Sequence, residues 1–438
     1  LMPGFADVFQ IFRLDEFDEK SALSVLDKVI ESKERQSGVA AEFGAGPTIH
    51  RLFRRFMPYA AFPGQSVAFL RDAFEKCSEE SESLLKLERL LRQFVDHTGL
   101  PELFLRDDIL LEQAEIQKQF EAKIIGQPDA CRQAANVITT FKAGMNDTSR
   151  PLAALLFCGP TGVGKTALAN AMAATLFGGG AADQLADGGF AAGHIAEGRP
   201  AFDASSRKED RLVRLDMSEY SSPGSAARLL LAADGGPSEF IKRLRRQPFV
   251  VVLLDEIEKA APEVFDVFLS VFDEGRLTDR LGRETILRSA VIVMTSNLGA
   301  GKTGAMGFGE QTAPSYDDEA LSFFRPEFYN RIDSVVAFQP LEADSIRLIT
   351  EKELRDLGRR EGFVKANLRL SWTDALVAHL AESGFDLKLG ARPLQRAIEQ
   401  ELITPLARFL VENPNLKDAE IHLDCGASGA VTVESQPA

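Results

Sequence analysis

The sequence predicts an α/β protein: a parallel sheet sandwiched by helices, preceded by a helical region and followed by a second helical region with a short strand. Three observations predict this. Short apolar runs at 153–158, 212–215, 249–254 and 290–295 are separated by helical segments, the pattern of parallel strands buried on both faces. The first run leads through Gly159-Pro160-Thr161-Gly162-Val163-Gly164-Lys165-Thr166 into the helix-forming stretch that begins at Ala167. The third run ends in two carboxylates, Asp255 and Glu256, and a parallel strand delivers such residues to the edge where ligands bind in open α/β sheets.

Composition sets the bounds. At 438 residues the chain has room for two or three domains, each with its own core. Hydrophobic residues at 45% and charged residues at 26% are ordinary for a globular protein in water. The net charge of −15 argues against non-specific binding to nucleic acid or to an anionic membrane. No apolar run approaches a transmembrane length, and no signal peptide is visible. Cys77, Cys131, Cys158 and Cys425 are scattered without metal-ligand spacing, so a reducing, cytoplasmic location is expected. The chain begins at Leu1, as a fragment of something longer would.

Residues 1 to about 110 read as mostly helical, with apolar positions Ala22, Val25, Leu26, Val29 and Ile30 at helical spacing after an acidic start at 15–19. Further helical patterns cover 49–56, 66–74 and 84–94, punctuated by turns at 44–47 and 62–64. From 110 to 142 the pattern stays helical with one interruption at Ile124-Ile125-Gly126-Gln127-Pro128. After the third strand signal come 290–295 and then, beyond Pro340, helices at 344–357, 374–382 and 394–410. A final strand at 420–423 and a frayed tail of small and polar residues are expected. Residues 178–210, rich in Gly, Ala and Asp, read as a long surface insertion.

The chemistry sits on the glycine loop. Backbone N–H groups of such a turn wrap phosphates because no Cβ blocks the approach. The helix N-terminus adds its dipole, Lys165 a positive charge and the Thr166 hydroxyl a magnesium ligand. A strand before the loop and a helix after it separate a phosphate site from a glycine-rich turn that binds nothing. Asp255 suits the magnesium shell and Glu256 suits a base that positions and polarises water. The competing reading of the two acids, a cap on the next helix, is disfavoured by the upstream loop.

Four stretches then point to a family: Asp255-Glu256-Ile257-Glu258-Lys259-Ala260, Gly275-Arg276-Leu277-Thr278-Asp279, Thr295-Ser296-Asn297-Leu298-Gly299 and the run from Arg325 to Asp333, Arg-Pro-Glu-Phe-Tyr-Asn-Arg-Ile-Asp. With Ile125-Gly126-Gln127, Leu215-Asp216-Met217-Ser218-Glu219-Tyr220 and Gly390-Ala391-Arg392-Pro393-Leu394, they resemble the Clp-type AAA+ ATPases, specifically the second ATPase module of the ClpB, ClpA and ClpC group. The motifs keep the family's order from about Ile124 to the C-terminus. The resemblance implies an AAA+ fold with a C-terminal helical lid, ATP hydrolysis with Mg2+, and domains at 1–97, 98–340 and 341–438. Gly159 to Ala167 and Asp255 then bind nucleotide, Thr166 and Asp255 the metal, and Ile124 and Ile125 line the adenine pocket. Asn297 resembles the sensor that orients the hydrolytic water, and Arg392 the sensor arginine that reports nucleotide state to the lid. Arg331 resembles the arginine finger that acts on ATP held by a neighbouring subunit, which implies a ring, expected to be a hexamer of this chain. A finger supplies about 10³–10⁵ in rate, so assembly becomes a condition for turnover.

Three departures qualify the resemblance. The first 75 or so residues resemble the helical lid of the family's first module, but Ala6-Asp7-Val8 stands where an arginine pair is usual, and no first-module phosphate loop is present. The join from 77 to 110 is too short for a long coiled-coil middle domain, although Thr98-Gly99-Leu100-Pro101 matches the usual linker. Most important, the family's pore segment carries an aromatic tip, whereas here it reads Leu229-Leu230-Leu231-Ala232-Ala233-Asp234-Gly235-Gly236-Pro237. Aromatic rings grip varied side chains by area burial and stacking, and Ala, Asp and Gly offer little of either. Two functions therefore stay open: a ring ATPase that remodels or unfolds a protein substrate, with or without an adaptor, and an ATP-gated assembly or scaffold that threads nothing. Met306-Gly307-Phe308 resembles a docking tripeptide for a ClpP-like peptidase, but an ordinary Gly-rich turn is the favoured reading. Nucleic-acid-directed activity is disfavoured by the charge.

Overall fold

The structure is a computed structural model, described here for residues 17–57, 62–177, 211–279, 282–299, 316–386, 390–426 and 431–437. Two compact units contain them, one within Leu1–Ile109 and Phe177–Glu197, the other within Leu110–Leu176 and Gly198–Ala438. The insertion at 178–210, the N-terminal stretch with Ala6-Asp7-Val8, and Met306-Gly307-Phe308 lie outside the described residues.

In the first unit, helix α1 (Glu19–Ser37) starts where the Asp18 side chain accepts from the Ser21 N–H, and ends on left-handed Gly38. Helices α2 (Ala45–Phe56), α3 (Gly64–Glu79) and α4 (Leu87–Thr98) pack around Phe53, Phe69 and Phe94, whose rings meet edge to face at 5.6–5.9 Å. The helix expected over 84–94 begins three residues late. Leu84–Leu85 is instead a short strand (β2) paired in parallel with Ala40–Ala41 (β1), and the Glu42 carboxylate accepts from the Leu87 N–H to open the helix. A tertiary pairing overrides local propensity there.

The second unit opens with helices α6 (Gln113–Lys123) and α7 (Pro128–Ala143), Pro128 pre-setting the first turn of α7; the short helix α5 (Glu102–Leu105) precedes them in the first unit. Strands β3 (Ala153–Cys158), β4 (Leu212–Asp216) and β5 (Val250–Asp255) follow in chain order, then an antiparallel hairpin of β6 (Arg276–Thr278) and β7 (Glu284–Ile286), then β8 (Ala290–Ser296) and β9 (Ser334–Ala337). The sheet order is β4-β5-β8-β3-β9, with every pairing parallel. β3 and β8 are buried along their whole length and β5 up to Leu254, as strands covered on both faces must be. The α/β class with flanking helices is therefore the observed one.

β3 is hydrogen-bonded on both edges and clamped at both ends. At its start, the Asp333 carboxylate accepts from the Ala154 N–H at 2.7 Å while the Asp333 N–H donates to the Ala154 carbonyl at 2.8 Å. At its exit, the Phe338 N–H donates to the Cys158 carbonyl at 2.7 Å. Gly159 follows with φ +151°, and a Cβ there would stand 2.4 Å from the Phe338 carbonyl oxygen, so only glycine lets the loop leave the sheet at this angle. Gln127 adds a clasp: its amide donates to the Gln339 carbonyl and accepts from the Gln339 N–H, at 2.8 and 2.9 Å. That pair pins the 124–127 segment to the end of the sheet.

The C-terminal part holds helices Ala343–Leu357, Asp374–Ser383, Arg392–Ala397 and Thr404–Glu412, and a sheet of β10 (Arg369–Trp372), β11 (Ala419–Cys425) and β12 (Val431–Pro437) in that order. The expected frayed tail is wrong. Residues 431–437 pair antiparallel with β11 from Val431 opposite Cys425 to Pro437 opposite Ala419, the β-branched Val431, Thr432 and Val433 favouring the extended chain. The helix expected over 394–410 is real but not uniform, since it widens to π geometry over Ile398–Ile403. Pro405 lacks the N–H and crowds the preceding turn, and the helix adjusts immediately before it.

Gly159→Ala is expected to lower stability by about 1–3 kcal/mol, the cost of forcing a methyl into a filled space. Urea unfolding checks it, and an unchanged midpoint contradicts the close approach of Phe338.

Candidate functional site

Five strand ends converge at the carboxyl edge of the sheet, and a cleft of about 430 Å³ opens there. Thr161, Gly162, Gly164, Lys165, Thr166 and Ala167 form one wall. Asp255, Glu256, Thr295 and Asn297 line it from β5 and β8, Arg214 from β4, and Ala391, Arg392 and Gln395 from the C-terminal part. Gly159, Pro160 and Val163 complete the loop, Val163 being buried behind it. Ile124 is buried beside Gly164, where a Cβ would lie 3.3 Å from the Ile124 Cγ2, and Ile125 is half-buried next to it.

Lys165 opens helix α8 (Lys165–Phe177), and its ammonium folds back over the loop. It donates to the carbonyls of Gly159 and Pro160 and, at 2.9 Å, to Asn297 Oδ1, which also accepts from the Thr161 hydroxyl at 3.3 Å. The cation of the loop is thus held by neutral carbonyl and amide oxygens, weaker partners for an ammonium than a phosphate. Burial pushes the Lys165 ammonium down to about 8, against the opposing pull of the Glu258 and Asp255 carboxylates.

The acidic strand end is a strained turn. Glu256 has φ +56° and ψ 53°, left-handed for a residue with a side chain, which costs about 1–2 kcal/mol. Thr295 on β8 compensates: its hydroxyl donates to Asp255 Oδ1 and accepts from the Glu256 N–H at 3.0 Å. Lys259 pairs with the Glu256 carboxylate. Glu258 Oε1 accepts from the Asn297 N–H at 3.1 Å, and its second oxygen is buried with no hydrogen-bond partner among the described residues. Thr295 and Glu258 thereby fix the two acids and Asn297 relative to one another. Spacing alone assigns neither of them a place in the site, nor Arg214 and Gln395. A signal for Arg214 existed: an arginine interrupts the apolar run Leu-Val-Arg-Leu, two residues before Asp216, and so faces the same side of the strand.

Arg392 begins its helix beside the loop because the segment before it packs on the loop's backbone. The Ala391 N–H donates to the Gly162 carbonyl at 3.2 Å, and Gly390, at φ +59°, comes so close that a Cβ would stand 2.7 Å from the Thr161 carbonyl oxygen. Arg331 is elsewhere. It precedes β9 at the amino edge of the sheet, six strand residues from the loop along β3, or about 17–20 Å. Its guanidinium is half-exposed and paired with Asp273, and Arg150 holds the segment by donating to the Arg331 carbonyl, the Phe272 carbonyl and Asp333 Oδ1.

The structure thus brings Lys165, Thr166, Asp255, Glu256, Asn297 and Arg392 together and leaves Arg331 out. A glycine cradle at a helix N-terminus, with a half-buried lysine, a hydroxyl, a carboxylate pair and an asparagine, at the edge of a parallel sheet defines a P-loop nucleotide-binding domain. The cradle is one that a Cβ at Gly159 or Gly390 would disrupt, and Thr166 and Asp255 offer the hard oxygen donors that Mg2+ takes alongside phosphates, so the residues present fit a magnesium nucleotide. Comparison with known proteins agrees. Residues 150–335 match the AAA domain (Cdc48 subfamily), and residues 341–423 match the C-terminal, D2-small domain of ClpB protein. The ClpE ATP-binding subunit of the ATP-dependent Clp protease from Streptococcus pneumoniae is 33% identical over 371 residues, 81% of this chain and 45% of that protein. The chaperone protein ClpB of Meiothermus ruber is 34% identical over 352 residues, 78% of this chain and 37% of that one. A solved structure of Hsp104 with ATPγS and FITC-casein superposes with a TM-score of 0.74 at 25% identity, covering 100% of this chain and 71% of the other. The chain belongs to the Clp-type AAA+ ATPases and corresponds to their second ATPase module. It spans less than half the length of these two relatives.

Lys165 supplies a pH test. Its charge is present below about pH 8 and lost above it, and a phosphate prefers the charged form. Nucleotide affinity is therefore expected to be level up to about pH 7.5 and to fall as pH rises through about 8, by up to tenfold per unit. Calorimetric titration across that range checks it, and an affinity that stays level to about pH 9.5 contradicts it.

Proposed function

We propose that this chain binds ATP with Mg2+ in the cleft and hydrolyses it, working as a ring of identical subunits, a hexamer by analogy with the family, to remodel or unfold a protein substrate. The observation that carries this reading is the division of the site: the binding wall, the acid pair, Asn297 and Arg392 share one cleft, while Arg331 stands exposed at the other edge of the same sheet. Ile124 and Ile125 flank the adenine, Gly159 to Ala167 cradle the phosphates, and Thr166 and Asp255 hold the metal. The metal, when bound, offsets charge developing on the phosphates. Glu256 orients and polarises the attacking water, Asn297 aligns it, and Arg392 couples the nucleotide to the C-terminal part. Arg331 completes the site of the neighbouring subunit. In this reading residues 1–97 are a lid-like remnant of a first module, 98–340 the large nucleotide-binding domain and 341–438 its lid, and the protein works in the cytoplasm. No described helix is long and apolar enough to cross a membrane.

A second reading is favoured by one segment. Leu231 and Pro237 form an antiparallel bridge, the Ala232 N–H donates to the Gly236 carbonyl, the Gly235 N–H to the Ala232 carbonyl, and the Asp234 carboxylate accepts from the Gly236 N–H. The segment where the family carries its gripping aromatic is a closed turn of small residues. In this second reading nucleotide gates assembly and nothing is threaded.

Glu256→Gln should lower turnover by about 10²–10⁴ while ATP stays bound; parental turnover in that variant contradicts the assignment. Arg331→Ala should lower turnover by about 10³ or more with nucleotide affinity preserved. Stimulation of ATPase rate by an unfolded protein separates the two readings, since a formed ring with no stimulation and no unfolding of a tagged reporter favours the scaffold.

A further inference from the structure

Among the described residues that line the cleft, Arg214 is a cation outside the family motifs that carry Lys165 and Arg392. Arg214 lies on β4, where Arg214 stands opposite Leu253 and Asp216 opposite Asp255. Its guanidinium reaches diagonally across and donates to Asp255 Oδ2. Asp255 Oδ1 is taken at the same time by the Thr295 hydroxyl. Both oxygens of the carboxylate that suits the metal are therefore engaged.

The two contacts differ in kind. Thr295 is buried on a central strand and also holds the Glu256 N–H, so it stays. Arg214 has a side chain 55% exposed against 13% for Asp255, and it lines the cleft itself, so it is the partner that can turn away. An uncompensated carboxylate beside a triphosphate repels it, and a cation on that carboxylate removes the repulsion. We propose that Arg214 is the counter-ion of Asp255 in the metal-free site: it permits nucleotide to enter without metal and yields Oδ2 when metal arrives. This rests on the nucleotide-site reading above and extends it to the order of loading. Arg214 is a positioning residue in this role, because it acts through Asp255.

Linkage gives the consequence. With Arg214 present, metal gains less by binding next to Asp255, so nucleotide affinity depends only moderately on metal; without it, the dependence steepens. The experiment is equilibrium binding of a fluorescent ATP analogue to the full chain, in excess Mg2+ and in EDTA, for the parent, Arg214→Gln and Arg214→Lys. Arg214→Gln is expected to raise the ratio of metal-free to metal-loaded Kd by about tenfold, within the usual range of site-to-site coupling. The rise should come mainly from weaker metal-free binding. Arg214→Lys keeps the charge and should stay within about threefold of the parent. Taking the ratio within each variant cancels any loss of folded fraction. An unchanged ratio in Arg214→Gln, or an equal rise in Arg214→Lys, overturns the proposal. A parent that binds no nucleotide in either condition contradicts the nucleotide-site reading instead.

Discussion

The second unit depends on one strand. β3 is apolar from Ala153 to Cys158, buried throughout and hydrogen-bonded to β8 on one edge and β9 on the other. It carries the phosphate loop at its carboxyl end and, through the two hydrogen bonds between Asp333 and Ala154, the Arg331 segment at its amino end. A buried parallel strand cannot slip by one residue without turning its side chains over, so the spacing between these two functional ends is rigid. That rigidity keeps Arg331 out of its own subunit's cleft. In the proposed reading, the amino edge of a second subunit is what completes such a site.

The other constraint is electrostatic. The carboxyl edge concentrates Asp216, Asp255, Glu256 and Glu258 against Lys165, Lys259, Arg214 and Arg392, and each acid that matters is held by a named donor. Thr295 sits between Asp255 and Glu256 and stabilises the left-handed Glu256 turn, so strain at the site is maintained by a buried central strand rather than by the loop itself. Lys165, folded onto loop carbonyls and Asn297, is held by partners each weaker than a phosphate, so its contacts are open to exchange.

Much of this was legible in the sequence. The apolar runs of β3, β5 and β8 have buried-strand composition, β4 at the edge is only partly buried around Arg214, and Gly159 to Thr166 has a spacing that few other sites require. What escaped had physical reasons. β9 is four residues long, and β10 equally short, so neither carries enough periodicity to stand out. Residues 431–437 look like a polar tail until β11 is there to pair with them. Leu84–Leu85 reads as the start of a helix because the competing pairing with Ala40–Ala41 is over forty residues away. In the site, Thr295 and Glu258 act through hydrogen bonds to backbone or to other side chains, which spacing alone does not reveal, and Arg214 reaches Asp255 only because β4 and β5 are neighbours in this register.

In the proposed reading, one working site is shared by two copies of the chain. Mixing Arg331→Ala subunits, which keep an intact cleft, with Glu256→Gln subunits, which keep an intact Arg331, tests it most directly. Two preparations nearly inactive alone should regain ATP turnover on mixing, because some interfaces pair an intact cleft with an intact arginine. A mixture no more active than its parts, with mixed assembly verified, would contradict it.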